Sequence, residues 1–325
     1  MGGMISIYTL SPFKYNGVRI TGEYGSANSF KVSAGCYTLL TPDIGMSLCG
    51  YFTGTDGFFR NEYNGAKTGE ERQGSVRWKT SWRASDEVSV ENAAAVTVSR
   101  QSGYPYASVE SGRINYNDTC FYRRTGVTDG LTVKWCGPGF TLSGITSFQY
   151  INDNMTLDQD FLPVNYFTLT QRRHEWAFTE DIIATGKKGG YEWTGGVFGF
   201  YKRSSMSAPV TFGEHGIEEL ITGNYNKYSP YYPIAWDDDT FLLESKFTTP
   251  THGVAVYHQS SYAFGRATAA LGLRLDYEHA SLDYHSMTEA RYTIYNATTN
   301  PPEVFSSVPV EIDDRGSLSL SLIHI

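Results

Sequence analysis

No stretch of the 325-residue chain approaches the about 18 consecutive apolar residues that a membrane helix needs. That excludes a helical membrane protein. It leaves a membrane barrel open, because barrel strands show only alternate side chains to lipid and the mean hydropathy of -0.34 says nothing about them. Charged residues make up 18% of the chain, below the roughly 25% usual in soluble domains. The net charge is -8 and no run of Lys or Arg forms a basic patch, so nucleic acid is set aside as a partner. The N-terminus has neither the basic region nor the apolar core of a signal peptide. The cysteines, Cys36, Cys49, Cys120 and Cys136, fall in no metal-ligand spacing, and no cofactor or metal is expected. Cys36 and Cys49 flank a short turn and could face each other across a hairpin; the plainer reading is that they are small packing residues.

Catalytic signatures are missing too. There is no H-x-x-x-H pair, G-x-S-x-G elbow, Walker loop or dinucleotide fingerprint. His258 with Ser260 or Ser261 is the nearest approach to a hydrolase pair, but neighbours on one strand do not converge with an acid. The chain is read as not an enzyme.

What the chain does contain is the chemistry of strands and turns: 24 Tyr, 18 Phe and 33 Gly, with abundant Ser and Thr. From Val76 to Ala84, Val76, Trp78, Thr80, Trp82 and Ala84 share one parity, and Arg77, Lys79, Ser81 and Arg83 the other. From Ala267 to Glu278, Ala267, Ala269, Leu271, Leu273, Leu275 and Tyr277 alternate with Thr268, Ala270, Gly272, Arg274, Asp276 and Glu278. Alternation held this long predicts extended strands with one apolar and one wet face. Segments at 30–40, 140–150 and 191–202 repeat the pattern less cleanly, and Phe198 and Phe200 interrupt the polar face of the last.

The connections alternate in length. Short turns are predicted at 41–45, 85–87, 137–139 and 185–190, and long polar, aromatic stretches at 56–73, 100–128, 152–169 and 207–252. Short turns on one side and long loops on the other predict an all-β, antiparallel up-and-down transmembrane β-barrel. The segment 240–249 is read as a strand extension above the membrane, because counting it as a separate span would put the turn at 264–266 on the long-loop side. About eleven spanning strands result, an odd number, so the barrel is expected to be incomplete with an open sheet. Trp78, Trp82, Trp193 and Tyr201 suit an interfacial aromatic girdle.

These residues resemble a family. Gly2-Gly3-Met4-Ile5-Ser6-Ile7-Tyr8-Thr9 is similar to the strand that ends the plug domain of TonB-dependent outer-membrane receptors. Asp56-Gly57-Phe58-Phe59-Arg60-Asn61, Ser143-Gly144-Ile145-Thr146-Ser147-Phe148 and Leu271-Gly272-Leu273-Arg274-Leu275-Asp276 resemble recurring motifs of its barrel, in order, through most of residues 1–285. The resemblance implies a plug remnant over 1–15 and a partial barrel over 16–319. Residues 320–325 look like translated sequencing-adapter sequence and are expected to be a non-native tail. It further implies an outer-membrane transporter of a scarce nutrient, a ferric siderophore first, with outer-membrane lipid as its surroundings. The TonB complex would engage a region that this sequence lacks. A passive porin or adhesion barrel, or a soluble carbohydrate-binding module, are the other readings.

For such a wall, Arg77, Lys79, Arg83 and Arg274 are expected to face the lumen, as plug-facing salt bridges more than as ligand contacts. The candidate ligand anchors are loop aromatics: Tyr63, Tyr104, Tyr106, Tyr122 and Trp236, with Tyr116, Phe121, Tyr231 and Tyr232 nearby in sequence. Asp237-Asp238-Asp239 and the set Asp153, Asp158 and Asp160 could hold a hard cation, with a solvated loop as the default.

Overall fold

A computed structural model describes residues 9–324. The plug-end motif at 2–9 therefore lies outside the described residues except for Thr9. The strands are β1 (Gly17–Gly25), β2 (Ser29–Thr41), β3 (Ile44–Thr55), β4 (Phe59–Arg60), β5 (Lys67–Thr68), β6 (Glu71–Arg83), β7 (Val88–Ser102), β8 (Phe121–Cys136), β9 (Phe140–Asp158), β10 (Phe167–Lys188), β11 (Tyr191–Ser207), β12 (Val210–Phe212), β13 (Ile234–Trp236), β14 (Phe241–Phe264), β15 (Ala267–Asn296) and β16 (Glu303–His324). A short helical stretch, Glu214–Gly216, Ile217–Thr222 and Gly223–Tyr228, separates β12 from β13.

Twelve of these strands are long, and each pairs antiparallel with the next long strand in sequence. This is an up-and-down meander. The sequence predicts about eleven; the twelfth is β16, which pairs with β15 from Asn296↔Glu303 to Asp276↔His324 and so takes in residues 320–324. Among the described residues β1 pairs only with β2 and β16 only with β15, so the sheet is open at both edges.

Local chemistry sets each hairpin. At the β2–β3 turn Thr41 Oγ1 accepts the backbone N–H of Asp43 and of Ile44, at 3.2 and 3.0 Å. At the β6–β7 turn Ser85 Oγ does the same for Glu87 and Val88, at 3.3 and 3.1 Å. The β14–β15 hairpin turns on Gly265 at φ 64°, which a residue without Cβ adopts at no steric cost. These turns lie at one end of the sheet with 137–139 and 189–190. The long connections 56–70, 103–120 and 208–240 lie at the other, joined there by the short 26–28 turn. A barrel needs about 9–11 residues per span; β14 has 24 and β15 has 30, so both project well beyond a bilayer on the loop side. Residues 241–249 belong to that projection, on the same strand as 252–264.

The pleat separates two unlike faces. Val32, Leu48, Phe52, Val76, Trp78, Val96, Val98, Ile182, Val197, Val254, Val256 and Leu273 all share the outer face and are exposed, Trp78 by 56% and Leu271 by 80%. The inner face carries Ser47, Lys79, Ser81, Ser99 and Asp153, all buried. Few hydrophobic residues are buried at all, and Ala255 on the inner face, 2% exposed, is among them. A soluble protein does not leave a continuous apolar belt outside and bury its polar residues inside. A wall whose outer face meets lipid does.

Register also settles the cysteine pair. Gly35 faces Cys49 and Cys36 faces Leu48, so the two cysteines sit on opposite faces. Both are free thiols, and Cys49 Sγ donates to Tyr37 OH at 3.2 Å.

Candidate functional site

The inner face begins with residues 9–16. Pro12 is almost fully buried against it: a Cβ on Gly45 would stand 2.7 Å from Pro12 Cγ, so glycine is what lets this segment touch the wall. Arg83 stacks over Phe13, 3.9 Å from the ring centre. Tyr15 meets Tyr37 edge-on at 5.1 Å. Lys79 reaches Thr9 Oγ1 at 3.5 Å and forms an ion pair with Glu91 on the next strand at 2.7 Å. Arg77 lies over an inner trough with Arg19, Lys31, Tyr37 and Tyr51. Arg274 pairs with Asp276 and stands 5.4 Å from the Tyr257 ring, whose hydroxyl donates to Asp181 at 2.9 Å. All four lumen candidates are thus on the inner face, and three of them touch an acid or the 9–16 segment directly.

Above the apolar belt the inner face carries a row of charge. The registers Arg124↔Asp153 and Arg173↔Asp153 put one carboxylate between two guanidiniums on β8, β9 and β10. Arg124 Nε lies 3.6 Å from Asp153 Oδ1, and Arg173 donates to Asp153 Oδ2 through Nε at 3.2 Å and through Nη2. Tyr122 stands on the same face, beside Arg124 and Asp153. Arg124 and Tyr122 line a trough of about 450 Å³ with Gln73, Thr97, Gln101 and Gln149. An open trough that sets Arg124 against Glu71, with Tyr122 and several amides, can hold a polar, oxygen-rich solute.

The loop aromatics are not gathered in one place. Tyr104 and Tyr106 meet at 5.8 Å, and Tyr106 packs on Phe161 at 5.0 Å. Tyr63 and Tyr106 are exposed. Tyr116 is buried, and its backbone carbonyl and N–H are both held by Asn61, at 2.7 and 3.3 Å. Trp236 is not in an open loop: it lies on β13, stacks on Tyr292 at 6.1 Å and meets Phe241 at 5.1 Å, which gives its ring a packing role. Asp237 accepts from Thr293 at 2.8 Å.

The acids at 153, 158 and 160 part company. Asp153 serves the inner row. Asp158, 1% exposed, organises the loop after β9: Oδ1 accepts Phe161 N–H at 2.7 Å and Oδ2 accepts Asp118 N–H at 3.3 Å. That bond helps hold Phe161 at φ 56°, a left-handed conformation unusual for a bulky residue. Among the described residues no group of three metal-binding side chains converges. Burial raises the pKa of Asp118, Asp158 and Asp160 above the ordinary 3.8, and pushes Cys120 up to about 11. A carboxyl whose pKa is raised on folding binds its proton more tightly in the folded loop. It therefore contributes stability that is complete below pH 3.8 and is lost as pH rises through the folded value. The backbone amides of 158–168 are expected to gain hydrogen-exchange protection as pH falls from 7 toward 4. Asp118→Asn, which leaves an oxygen for the Thr168 hydroxyl, should flatten that dependence; equal pH dependence in the variant counts against it.

No protein-family model matches the sequence. Among solved structures, the chain is similar to the ferric yersiniabactin uptake receptor FyuA from Yersinia pestis, with a TM-score of 0.63 at 12% identity over 95% of this chain and 44% of that one. It is also similar to the ferric-catecholate import receptor Fiu from E. coli K12 in its closed form, with a TM-score of 0.51 at 11% identity over 94% of this chain and 47% of that one. The chain spans less than half the length of either. The strand architecture is shared with these two ferric uptake receptors; at these identities the likeness speaks of fold.

Proposed function

We propose that the chain forms part of the wall of a bacterial outer-membrane receptor that takes up a scarce chelated nutrient, a ferric siderophore first, when a TonB complex pulls on its plug. The observation that supports this most is the division of the sheet: an exposed apolar belt outside, and inside it a charged, tyrosine-bearing wall above a packed N-terminal segment. On this reading residues 1–15 are the end of the plug, 16–319 the wall and 320–325 a non-native tail. Tyr63, Tyr104, Tyr106 and Tyr122 are the anchors that first meet ligand, while Arg77, Lys79, Arg83 and Arg274 hold the plug side together. Trp236 serves ligand binding only by stiffening β13 against β15.

The test is uptake. The complete gene, expressed in a host stripped of its own ferric receptors, should restore accumulation of radiolabelled iron from at least one siderophore of a panel. That accumulation should vanish when TonB is deleted. Accumulation that persists without TonB would make the protein a passive pore instead.

A further inference from the structure

One row of side chains on the outer face is out of balance. Arg100 on β7 lies directly opposite Arg123 on β8, Arg123 opposite Asn154 on β9, and Asn154 opposite Arg172 on β10. Like charges directly opposed across a strand pair destabilise it. The inner row one residue away resolves the same problem with an acid, Asp153, between Arg124 and Arg173. The outer row has Asn154 at the corresponding place. All three outer arginines are exposed. Among the described residues none of them has an acidic partner; Arg123 has only the Phe121 ring, 4.7 Å away. Their neighbour Arg72 on β6, opposite Arg100, is by contrast neutralised by Asp56 at 2.8 Å.

Position says what kind of anion would complete the row. Toward the short-turn end on the same face Val98 and Val96 come next on β7. On β8, β9 and β10 one polar residue, Thr125, Asn152 and His174, stands between the row and Val127, Tyr150, Trp176 and Phe178. Val96, Val98, Trp176 and Phe178 are exposed and form the upper edge of the apolar belt. The arginines thus stand where hydrocarbon gives way to headgroups, on the side of the long loops. A shallow cleft of about 180 Å³ lies between Arg100 and Arg123, floored by Val98 and Thr125 and closed by Asn152 and Asn154. Strands lie about 4.8 Å apart, so Arg100 to Arg172 spans about 14 Å, within reach of a single large headgroup.

We propose that Arg100, Arg123 and Arg172 form a site on the outer wall for the phosphates of a phosphorylated lipid in the loop-side leaflet, with its acyl chains lying down the Val96–Val98 and Trp176–Phe178 surface. Guanidinium groups bind phosphate bidentately, and the amides of Asn152 and Asn154 supply neutral donors. The bound anion replaces the acid that the row lacks. The site rests on the reading of the outer belt as lipid-facing.

The experiment uses the full chain in zwitterionic nanodiscs, with bisphosphorylated lipid A as the probe and dephosphorylated lipid A and inorganic pyrophosphate as comparisons. Retention is counted by native mass spectrometry. A basic side chain at a membrane surface is worth roughly fivefold in binding to anionic lipid, so Arg100→Gln, Arg123→Gln and Arg172→Gln together should weaken retention of the bisphosphorylated lipid about a hundredfold. Lys188→Gln, at the opposite end of the sheet, should change nothing. In the absence of anionic lipid the triple variant should keep or raise its thermal midpoint, because repulsion is relieved; that separates loss of the site from loss of the fold. Unchanged retention in the triple variant, or equal retention of the dephosphorylated lipid, overturns the proposal. Pyrophosphate bound as tightly as the lipid overturns it in favour of a soluble anion. Failure of the unaltered chain to insert would instead strike the lipid-facing reading itself.

Discussion

Leu273→Arg should destabilise the folded wall in lipid by about 2–4 kcal/mol, the cost of a cationic side chain on the lipid face near the midplane of a barrel. Leu273 is 66% exposed on β15, with Leu271 and Leu275 beside it on the same parity. In water, a two-thirds exposed leucine is a solvated side chain, and its replacement by arginine would be neutral or helpful. The sign of the effect therefore reports what the outer face touches. A second substitution should move the other way. Glu180 shares the outer parity with Trp176, Phe178 and Ile182, and its carboxylate accepts from Thr146 at 2.6 Å across β9. A carboxylate in the belt is costly even with one hydroxyl bound to it. Glu180→Leu with Thr146→Val, which removes both polar partners, should stabilise the wall on the order of 1–2 kcal/mol. Urea titrations of the protein folded into phosphatidylcholine vesicles measure both. A neutral Leu273→Arg would sink the assignment of this face to lipid.

The strands were legible because their signal is local. Val76–Ala84 and Ala267–Glu278 announce their two faces within a dozen residues, and Gly265 and Thr41 mark turns by their own chemistry. β16 was harder to read. Pro309 sits inside it opposite Arg291, and Asp313-Asp314 interrupts the apolar parity. Among the described residues β16 pairs only with β15, and a proline removes one donor from one ladder at most while the carboxylates stay exposed. The site was less legible still. Arg124, Asp153 and Arg173 are 20 or more residues apart, and nothing in the sequence near Asp153 distinguishes it from Asp158. Only the register of β8, β9 and β10 makes one the centre of an ion row and the other the hub of a turn. The outer arginine row depends on the same long-range registers, and in sequence it is just Arg-Arg at 123–124 and 172–173. Trp236 shows the converse: a lone loop tryptophan looked like an anchor, and the fold supplies Tyr292 and Phe241 to pack it.

The inner ion row carries the largest expected loss above the belt. Asp153 is 9% exposed, while Arg124 and Arg173 are 43% and 39% exposed. Removing one member of a fully buried pair costs about 3–5 kcal/mol, because the remaining charge is left desolvated. Here the arginines keep much of their water, so Asp153→Ala should cost less, about 1–3 kcal/mol. Asp153→Asn preserves shape and one acceptor but not charge, and should recover only a minor part. If the cost arises from two facing cations, Asp153→Ala combined with Arg173→Ala should lose less than the sum of the single variants, with the coupling shrinking as salt is raised. Thermal midpoints of the four forms in detergent, at low and high ionic strength, supply the cycle. Strict additivity would mean that the three strands are held by their ladders alone, and that the row exists for what passes over it.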